Sequence, residues 1–122
     1  MPSPSPLRIT ERRVGGVTVF ELSGQLVFEG GTQVLREAVT GAVTAGARAC
    51  LLDLERVSYL DSGGVGSLVA MFRHVTRRGG QLKLLRPSAS ARRVLGISRL
   101  TGVFDIFDDE TDALRNLGAP SA

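Results

Sequence analysis

The sequence contains few of the residues that carry most enzyme and metal chemistry. Among its 122 residues there are one cysteine, one histidine and no tryptophan, and aromatic residues make up only 5%. A single cysteine excludes an intramolecular disulfide and any cysteine-rich metal site. Because Cys50 lies in the apolar run ACLLDL, we predict a buried and unreactive thiol. With 43% hydrophobic residues, the core must be largely aliphatic.

Long apolar segments are also absent. No run approaches the roughly 20 apolar residues that cross a bilayer, and the start of the chain, MPSPSPLRIT, has no apolar signal-peptide centre. We therefore expect a cytoplasmic protein without membrane contact. The length fits one domain, which we place at residues 7–118, after a flexible lead at 1–6 and before a short tail at 119–122.

Acidic residues are missing between Ser62 and Phe104, and this stretch is basic. Its cations are Arg73, Arg77, Arg78, Lys83, Arg86, Arg92, Arg93 and Arg99, and five acids follow at once in DIFDDETD. A nucleic-acid-binding face is one interpretation of such a block. The arginines lack interleaved aromatic residues, however, and no nucleic-acid-reading helix of a known type is present. We therefore expect solvated helix faces, or secondly a surface for a protein partner, and no direct contact with nucleic acid.

Hydrophobic periodicity predicts a layered α/β fold. Alternating residues on either side of Gly15-Gly16 predict a β-hairpin over 7–22. The predicted elements that follow are a helix at 32–46, a buried strand at 49–54, a helix at 62–77, a strand at 81–85, a short helix in SASARRVLGIS, a strand in VFDIF and a terminal helix. A strand–helix–strand crossover is right-handed and makes its two strands parallel. We expect one four- or five-stranded mixed sheet with the two main helices packed together.

The stretch YLDSGGVGSL, residues 59–68, joins the central strand to the helix that follows it. This topology places Asp61 and Ser62 beyond the carboxyl end of a strand, where open α/β sheets usually meet ligands and partners. A serine nucleophile needs a base close to its hydroxyl. The single histidine, His74, lies roughly 18 Å further along the same predicted helix at about 1.5 Å per residue, and Lys83 lies at the opposite strand end. Hydrolysis by Ser62 is therefore disfavoured.

Phosphate and metal binding fit this stretch no better. GGVG lacks the lysine and hydroxyl of a P-loop, and the pattern G-x-G-x-x-G is absent. One carboxylate here, with Asp53 and Glu55 upstream, does not make a metal site, so we expect no metal, no cofactor and no enzyme activity. Asp61 is predicted to cap the helix, a contact worth about 1 kcal/mol. Gly63 and Gly64 each destabilise a helix by roughly 1 kcal/mol relative to alanine. Two glycines in a first turn therefore indicate that another group, such as a partner protein, approaches the backbone closely.

The run LDLERVSYLDSGGVGSL resembles the signature of the STAS domain, specifically that of bacterial anti-sigma factor antagonists. FELSGQL, GGQLKLL and RRVLGISRLTGVFDIFDDETDAL resemble further family segments in the same order, so the resemblance covers nearly the whole chain. It implies a single STAS-like α/β domain, with a four- to five-stranded mixed sheet and helices packed mainly on one face. It also implies a monomer or weak dimer that acts by binding proteins.

In that family, the serine directly after the aspartate is phosphorylated by the partner, an anti-sigma factor that is itself a serine protein kinase. By position, the resemblance makes Ser62 the phosphate acceptor. The unphosphorylated form would bind the kinase and release the sigma factor, phosphorylation would switch binding off, and a serine phosphatase would reset the protein. The expected partner-binding residues are Gln25, Phe28, Glu29, Asp61, Ser62, Gly63 and Gly64.

These residues belong to two segments that leave the same end of the predicted sheet. We therefore expect the loop at 24–31 and the start of the 62–77 helix to lie side by side. Phe28 would then be a partly exposed contact residue, the alternative being that it packs into the core.

Two positions depart from the family pattern. Gly63 stands where many members have a second serine, and Val27 stands where switch-type members commonly have an aspartate in the loop that meets the kinase. STAS domains also serve as unphosphorylated interaction subunits of lipid-transport or stress-signalling complexes, in which Ser62 would be only structural. Such a subunit, and a small hydrolase or nucleotide-binding enzyme, are the alternatives to the switched antagonist.

Overall fold

A computed structural model describes residues 6–28, 30–100 and 102–118. The elements in chain order are β1 (Arg8–Val14), β2 (Val17–Leu26), α1 (Gly31–Thr44), β3 (Ala49–Leu60), α2 (Ser62–Thr76), β4 (Gln81–Leu85), α3 (Ala89–Ile97), β5 (Ile106–Phe107) and α4 (Glu110–Asn116). Apart from Pro6, the lead and tail expected from the sequence lie outside the described residues.

The strands of the described chain form one mixed sheet in the order β1-β2-β3-β4-β5. The β1–β2 pair is antiparallel, and the β2–β3, β3–β4 and β4–β5 pairs are parallel. Gly15 and Gly16 make the hairpin turn with φ values of 54° and 85°, which a tight two-residue turn requires. The predicted α/β fold is therefore confirmed, including the mixed sheet and the parallel β3–β4 pair.

Helices α1, α2 and α3 cover one face of the sheet, where side chains such as Phe20, Leu35, Leu52, Leu68 and Leu95 are fully buried. Helix α4 packs on the other face through Ala113 and Leu117, against Val17, Val19, Leu51 and Leu85. Successive strand residues point to opposite faces, so both layers draw on the same strands. The expectation that the helices pack mainly on one face is confirmed.

Three strands differ in length from the sequence prediction. Strand β2 runs to Leu26 and not to residue 22, so it includes the first residues of the loop predicted at 24–31. Strand β3 continues from residue 54 to Leu60 because β2 runs beside it, with Gln25 opposite Tyr59 and Leu26 opposite Leu60. Register shifts in β2 and β3 interrupt the simple alternation there, so the extension is hidden in the sequence. Strand β5 is only Ile106–Phe107, because the predicted first residues of VFDIF instead form a turn, with the N–H groups of 103 and 104 bonded to the carbonyl of Leu100.

Candidate functional site

Two segments meet beyond the carboxyl ends of the paired strands β2 and β3. One is the loop that follows β2, residues 27–30, and the other is the first turn of α2. The strands end level with each other, and the N–H of Asp61 lies 3.4 Å from the carbonyl oxygen of Leu26. The prediction that the loop and the start of the helix lie side by side is thus confirmed. Glu29 lies outside the described residues.

Asp61 joins these two segments through both of its carboxylate oxygens. As the N-cap of α2, it has an extended backbone, and its Oδ1 accepts the N–H of Gly64 at 2.8 Å. Its Oδ2 accepts the N–H of Phe28 at 3.2 Å. The cap was predicted from the sequence, whereas the contact with the loop was not. The carboxylate therefore fixes the loop relative to the helix as well as starting the helix.

The glycines after Asp61 allow the loop to pack directly on the helix. A Cβ on Gly64 would lie 2.1 Å from the carbonyl oxygen of Leu26 and 2.7 Å from Leu60 Cδ1. A Cβ on Gly63 would lie 2.6 Å from Phe28 Cβ. The sequence correctly indicated a close approach at these glycines, but the approaching groups belong to the chain itself. They are the strand ends at Leu26 and Leu60 for the buried Gly64, and Phe28 of the loop for Gly63.

Ser62 is the first residue of α2 and is exposed. Within the described chain its hydroxyl has no hydrogen-bond partner and no neighbouring base, since His74 lies near the other end of the helix. The described residues also contain no group of three or more side chains able to hold a metal ion. The hydroxyl is therefore open to an approaching partner, and no hydrogen bond among the described residues activates it.

Three apolar side chains in the segments at this end of the sheet are exposed. The exposed fractions are 71% for Phe28, 53% for Tyr59 and 37% for Val34. Phe28 follows β2, Tyr59 lies next to the end of β3 opposite the half-buried Gln25, and Val34 is in the first turns of α1. We call Phe28, Val34 and Tyr59 the apolar patch. Such clusters on a protein surface commonly mark contact surfaces for other proteins.

Tyr59 and Val34 were not among the residues selected from the sequence. Tyr59 lies beyond the predicted strand 49–54, and in the observed β3 the buried positions next to it are Val57 and Leu60. That spacing places Tyr59 outward, and it becomes visible only when β3 is known to extend to residue 60.

A second polar cluster lies on the sheet face shared with α4, around a cavity of about 220 Å³. Asp53, which is 6% exposed, accepts the N–H of Glu55 at 3.1 Å and is 2.9 Å from the Arg86 guanidinium. The hydrogen bond that Arg86 donates to Asp53 raises the pKa of Arg86 above its ordinary value. Both oxygens of Asp53 thus have partners, whereas the buried Nε of Arg86 lies 3.0 Å from Glu55 Oε2 but has no hydrogen-bond partner among the described residues.

None of the helices in the described residues is long and apolar enough to cross a membrane. Among curated proteins, the chain is 24% identical over 111 residues to the anti-sigma F factor antagonist of Paenibacillus polymyxa, covering 91% of this chain and 95% of that protein. It is 42% identical over 77 residues to the anti-sigma-B factor antagonist of Bacillus subtilis strain 168, covering 62% and 65%.

Among solved structures, the fold is similar to that of the anti-sigma factor antagonist SpoIIAA in its unphosphorylated form, with a TM-score of 0.77 and 27% identity over 93% of this chain and 100% of that chain. The fold is also similar to that of the Bacillus cell fate determinant SpoIIAA in the phosphorylated form. The TM-score is 0.69 and the identity 27%, over 89% of this chain and 98% of that chain. The family model of the STAS domain matches residues 8–113. This match includes every strand of the described sheet and both segments of the candidate site, and the chain belongs to the STAS domain family.

Proposed function

We propose that this chain is an anti-sigma factor antagonist whose binding is switched off by phosphorylation of Ser62. The observation that carries the proposal is the exposed hydroxyl of Ser62. Ser62 is the first residue of α2 and follows the loop that carries the exposed Phe28, and no base in the described chain lies next to its hydroxyl. The similarity to antagonists of anti-sigma F and anti-sigma-B factors supports the same function.

The unmodified protein binds an anti-sigma factor and thereby releases the sigma factor. The binding face comprises Ser62 and the apolar patch, together with Gln25, Asp61, Gly63 and Gly64. Glu29, which follows Phe28 in the sequence, is proposed to contribute to the same face. Removing exposed aromatic and aliphatic surface from water favours association with a partner. Asp61 and the two glycines contribute by holding the loop and helix together, whereas Phe28 and Tyr59 contact the partner.

The anti-sigma factor acts as a serine kinase and supplies both the nucleotide and the catalytic base. The Ser62 oxygen attacks the γ-phosphorus of ATP, its proton passes to a base of the kinase, and ADP leaves. A serine phosphatase later hydrolyses the phosphoserine to serine and inorganic phosphate. The exposed hydroxyl needs no activating residue in its own chain under this scheme, because it is a substrate.

Phosphorylation opposes binding through charge. A phosphoserine carries about −1.5 to −2 charges, and the N-terminus of α2 stabilises it by only about 0.3–1 kcal/mol. The carboxylate of the adjacent Asp61 repels it, and a partner surface that fits a neutral hydroxyl must desolvate a dianion. A loss of about 3 kcal/mol weakens binding roughly a hundredfold.

A constitutive interaction subunit of a lipid-transport or stress-signalling complex is the second candidate. The observation that favours it is Val27, a half-buried apolar residue at the position where the family resemblance implies an aspartate in switch-type members. Ser62 would then be an ordinary first-turn residue of α2.

The two candidates differ in whether Ser62 accepts phosphate. The protein is incubated with ATP and each anti-sigma-type serine kinase of its own genome, and the intact mass and the modified peptide are then determined. We expect one phosphate on the wild-type protein, none on Ser62→Ala, and one on Ser58→Ala. Ser58 is the matched control because it is also exposed and lies four residues earlier, on β3. The absence of phosphate with every kinase, or its attachment elsewhere, would contradict the switch.

A further inference from the structure

The exposed face of α2 changes character along its length. Its exposed residues are Ser62, Gly66, Ala70, Arg73 and Thr76, followed by the exposed Arg77 at the C-cap. These residues are spaced by three or four positions, which places them on one side of a helix. The first turns carry almost no side chain, and the last turns carry arginine. A partner that approaches Ser62 can therefore lie close to α2 and extend toward the arginines.

The arginine end forms a shallow depression of about 410 Å³, lined by Ala70, Met71, Arg73, His74, Arg77 and Arg78. Arg78 donates to Nδ1 and the carbonyl oxygen of His74, both at 3.1 Å. Partial burial, and secondly the charge of Arg78, lower the pKa of His74 below its ordinary value, so its ring is mainly neutral at pH 7. The positive charge of the depression comes from the three arginines.

Nothing in the described chain neutralises Arg73 or Arg77. The ion pairs of the described residues involve Arg12, Lys83, Arg86, Arg92 and Arg115. The segment between Ser62 and Phe104 contains no acid at all. The two arginines therefore present uncompensated charge to whatever approaches this side of the helix.

The distance from Ser62 fits the edge of an ordinary interface. At about 1.5 Å per residue, Arg73 lies about 16 Å and Arg77 about 22 Å from Ser62 along α2. A typical protein interface covers about 800 Å² on each partner, which corresponds to a disc with a radius of about 16 Å. A partner centred on Ser62 thus reaches Arg73 with its rim, and Arg77 lies just beyond it.

We propose that Arg73 and Arg77 form a docking surface for an acidic segment of the same partner that recognises Ser62. The identity of the partner rests on the proposed function. The acidic character of the segment rests on the uncompensated charge of the two arginines. Charges at the rim of an interface mainly raise the association rate and its salt dependence, and contribute less to the lifetime of the complex. The arginine end of α2 therefore guides the kinase onto Ser62.

The acidic-segment chemistry is tested without the kinase, by titrating the isotopically labelled protein with deca-glutamate at low salt and following the amide resonances. We expect shifts at residues 70–78 that disappear in R73Q/R77Q. They should persist in the control R13Q/R115Q, which loses the same charge from exposed residues of β1 and α4. Shifts centred elsewhere, or shifts unaffected by R73Q/R77Q, would overturn the assignment.

The link to the partner is tested by association kinetics with the kinase that phosphorylates Ser62. We expect R73Q/R77Q to slow association about three- to tenfold at low salt, with the dissociation rate nearly unchanged. The difference should vanish near 1 M salt, where the Debye length is about 3 Å. Equal slowing in R13Q/R115Q would show a general net-charge effect and overturn the proposal, as would an unchanged rate in R73Q/R77Q.

Failure of the proposed function would appear separately, as wild-type protein that no kinase phosphorylates. The deca-glutamate titration would still decide whether the two arginines bind an acidic segment.

Discussion

The N–H of Phe28 donates a 3.2 Å hydrogen bond to Asp61 Oδ2, although 33 positions separate the two residues in the sequence. The other oxygen of the same carboxylate accepts the N–H of Gly64 and starts α2. The Phe28 ring is 71% exposed, so its position beside Ser62 depends on its main chain. Asp61 therefore sets the geometry between the exposed ring and the exposed hydroxyl.

Replacing Asp61 should loosen the loop as well as weaken the helix. Asp61→Ala loses both hydrogen bonds and should lower the free energy of unfolding by about 1–2 kcal/mol. Asp61→Asn keeps one acceptor oxygen and should lose less. Urea unfolding measures the stability, and hydrogen exchange at the Phe28 amide reports the loop. An unchanged exchange rate at Phe28 in Asp61→Ala would show that the carboxylate does not hold the loop.

Replacement by alanine should change the free energy of unfolding in opposite directions at two glycines of α2. In Gly64→Ala the new methyl group collides with the carbonyl oxygen of Leu26, so we expect a loss of about 2 kcal/mol or more. Gly66 is exposed, and no atom lies within 4 Å of the place that an added methyl group would take. Gly66→Ala should therefore raise stability by up to about 1 kcal/mol through helix propensity. Equal effects in urea unfolding would contradict the close packing at Gly64.

Local features of the site could be predicted from the sequence, and its long-range contacts could not. The cap at Asp61 follows from residue type and from the start of a helical pattern. Its bond to Phe28 depends on where β2 and β3 end, and both strands contain register shifts that leave no clear mark in the sequence. The outward position of Tyr59 depends on the same irregularity. The double glycine indicated a tight approach, but only the folded chain identifies the strand ends and the loop as the groups that approach.

Phe28 should matter for binding and hardly at all for stability. Because its side chain is 71% exposed, Phe28→Ala should change the free energy of unfolding by less than about 0.5 kcal/mol. It should weaken binding to the kinase by about 2 kcal/mol, as expected for an aromatic contact residue. Ile97 is the matched control, since it is 75% exposed and ends α3, which runs back from the Ser62 end of the sheet. The account fails here if Ile97→Ala weakens binding as much as Phe28→Ala does.

The stability of the protein should fall at alkaline pH because of Cys50. Burial, with a smaller contribution from Glu11, raises the pKa of this fully buried thiol from 9.0 to about 11. Between these values the unfolded chain releases the thiol proton and the folded chain keeps it. The free energy of unfolding should then decrease by about 1.4 kcal/mol per pH unit. Urea unfolding from pH 8 to 11 measures this slope, and Cys50→Ala should lack the contribution. Parallel curves for the two proteins would contradict the raised pKa.

The switch itself is tested most directly by the affinity of the kinase for two forms of the protein, unmodified and enzymatically phosphorylated at Ser62. Ser62→Ala serves as a permanently unmodified control and should bind like wild type. Ser62→Asp, with a single charge, should bind with intermediate affinity. Thermal unfolding of each form excludes loss of the fold as the cause. We predict that phosphorylation weakens binding roughly a hundredfold, corresponding to about 3 kcal/mol. Equal affinities of the phosphorylated and unmodified proteins would contradict the switch and favour the constitutive interaction subunit.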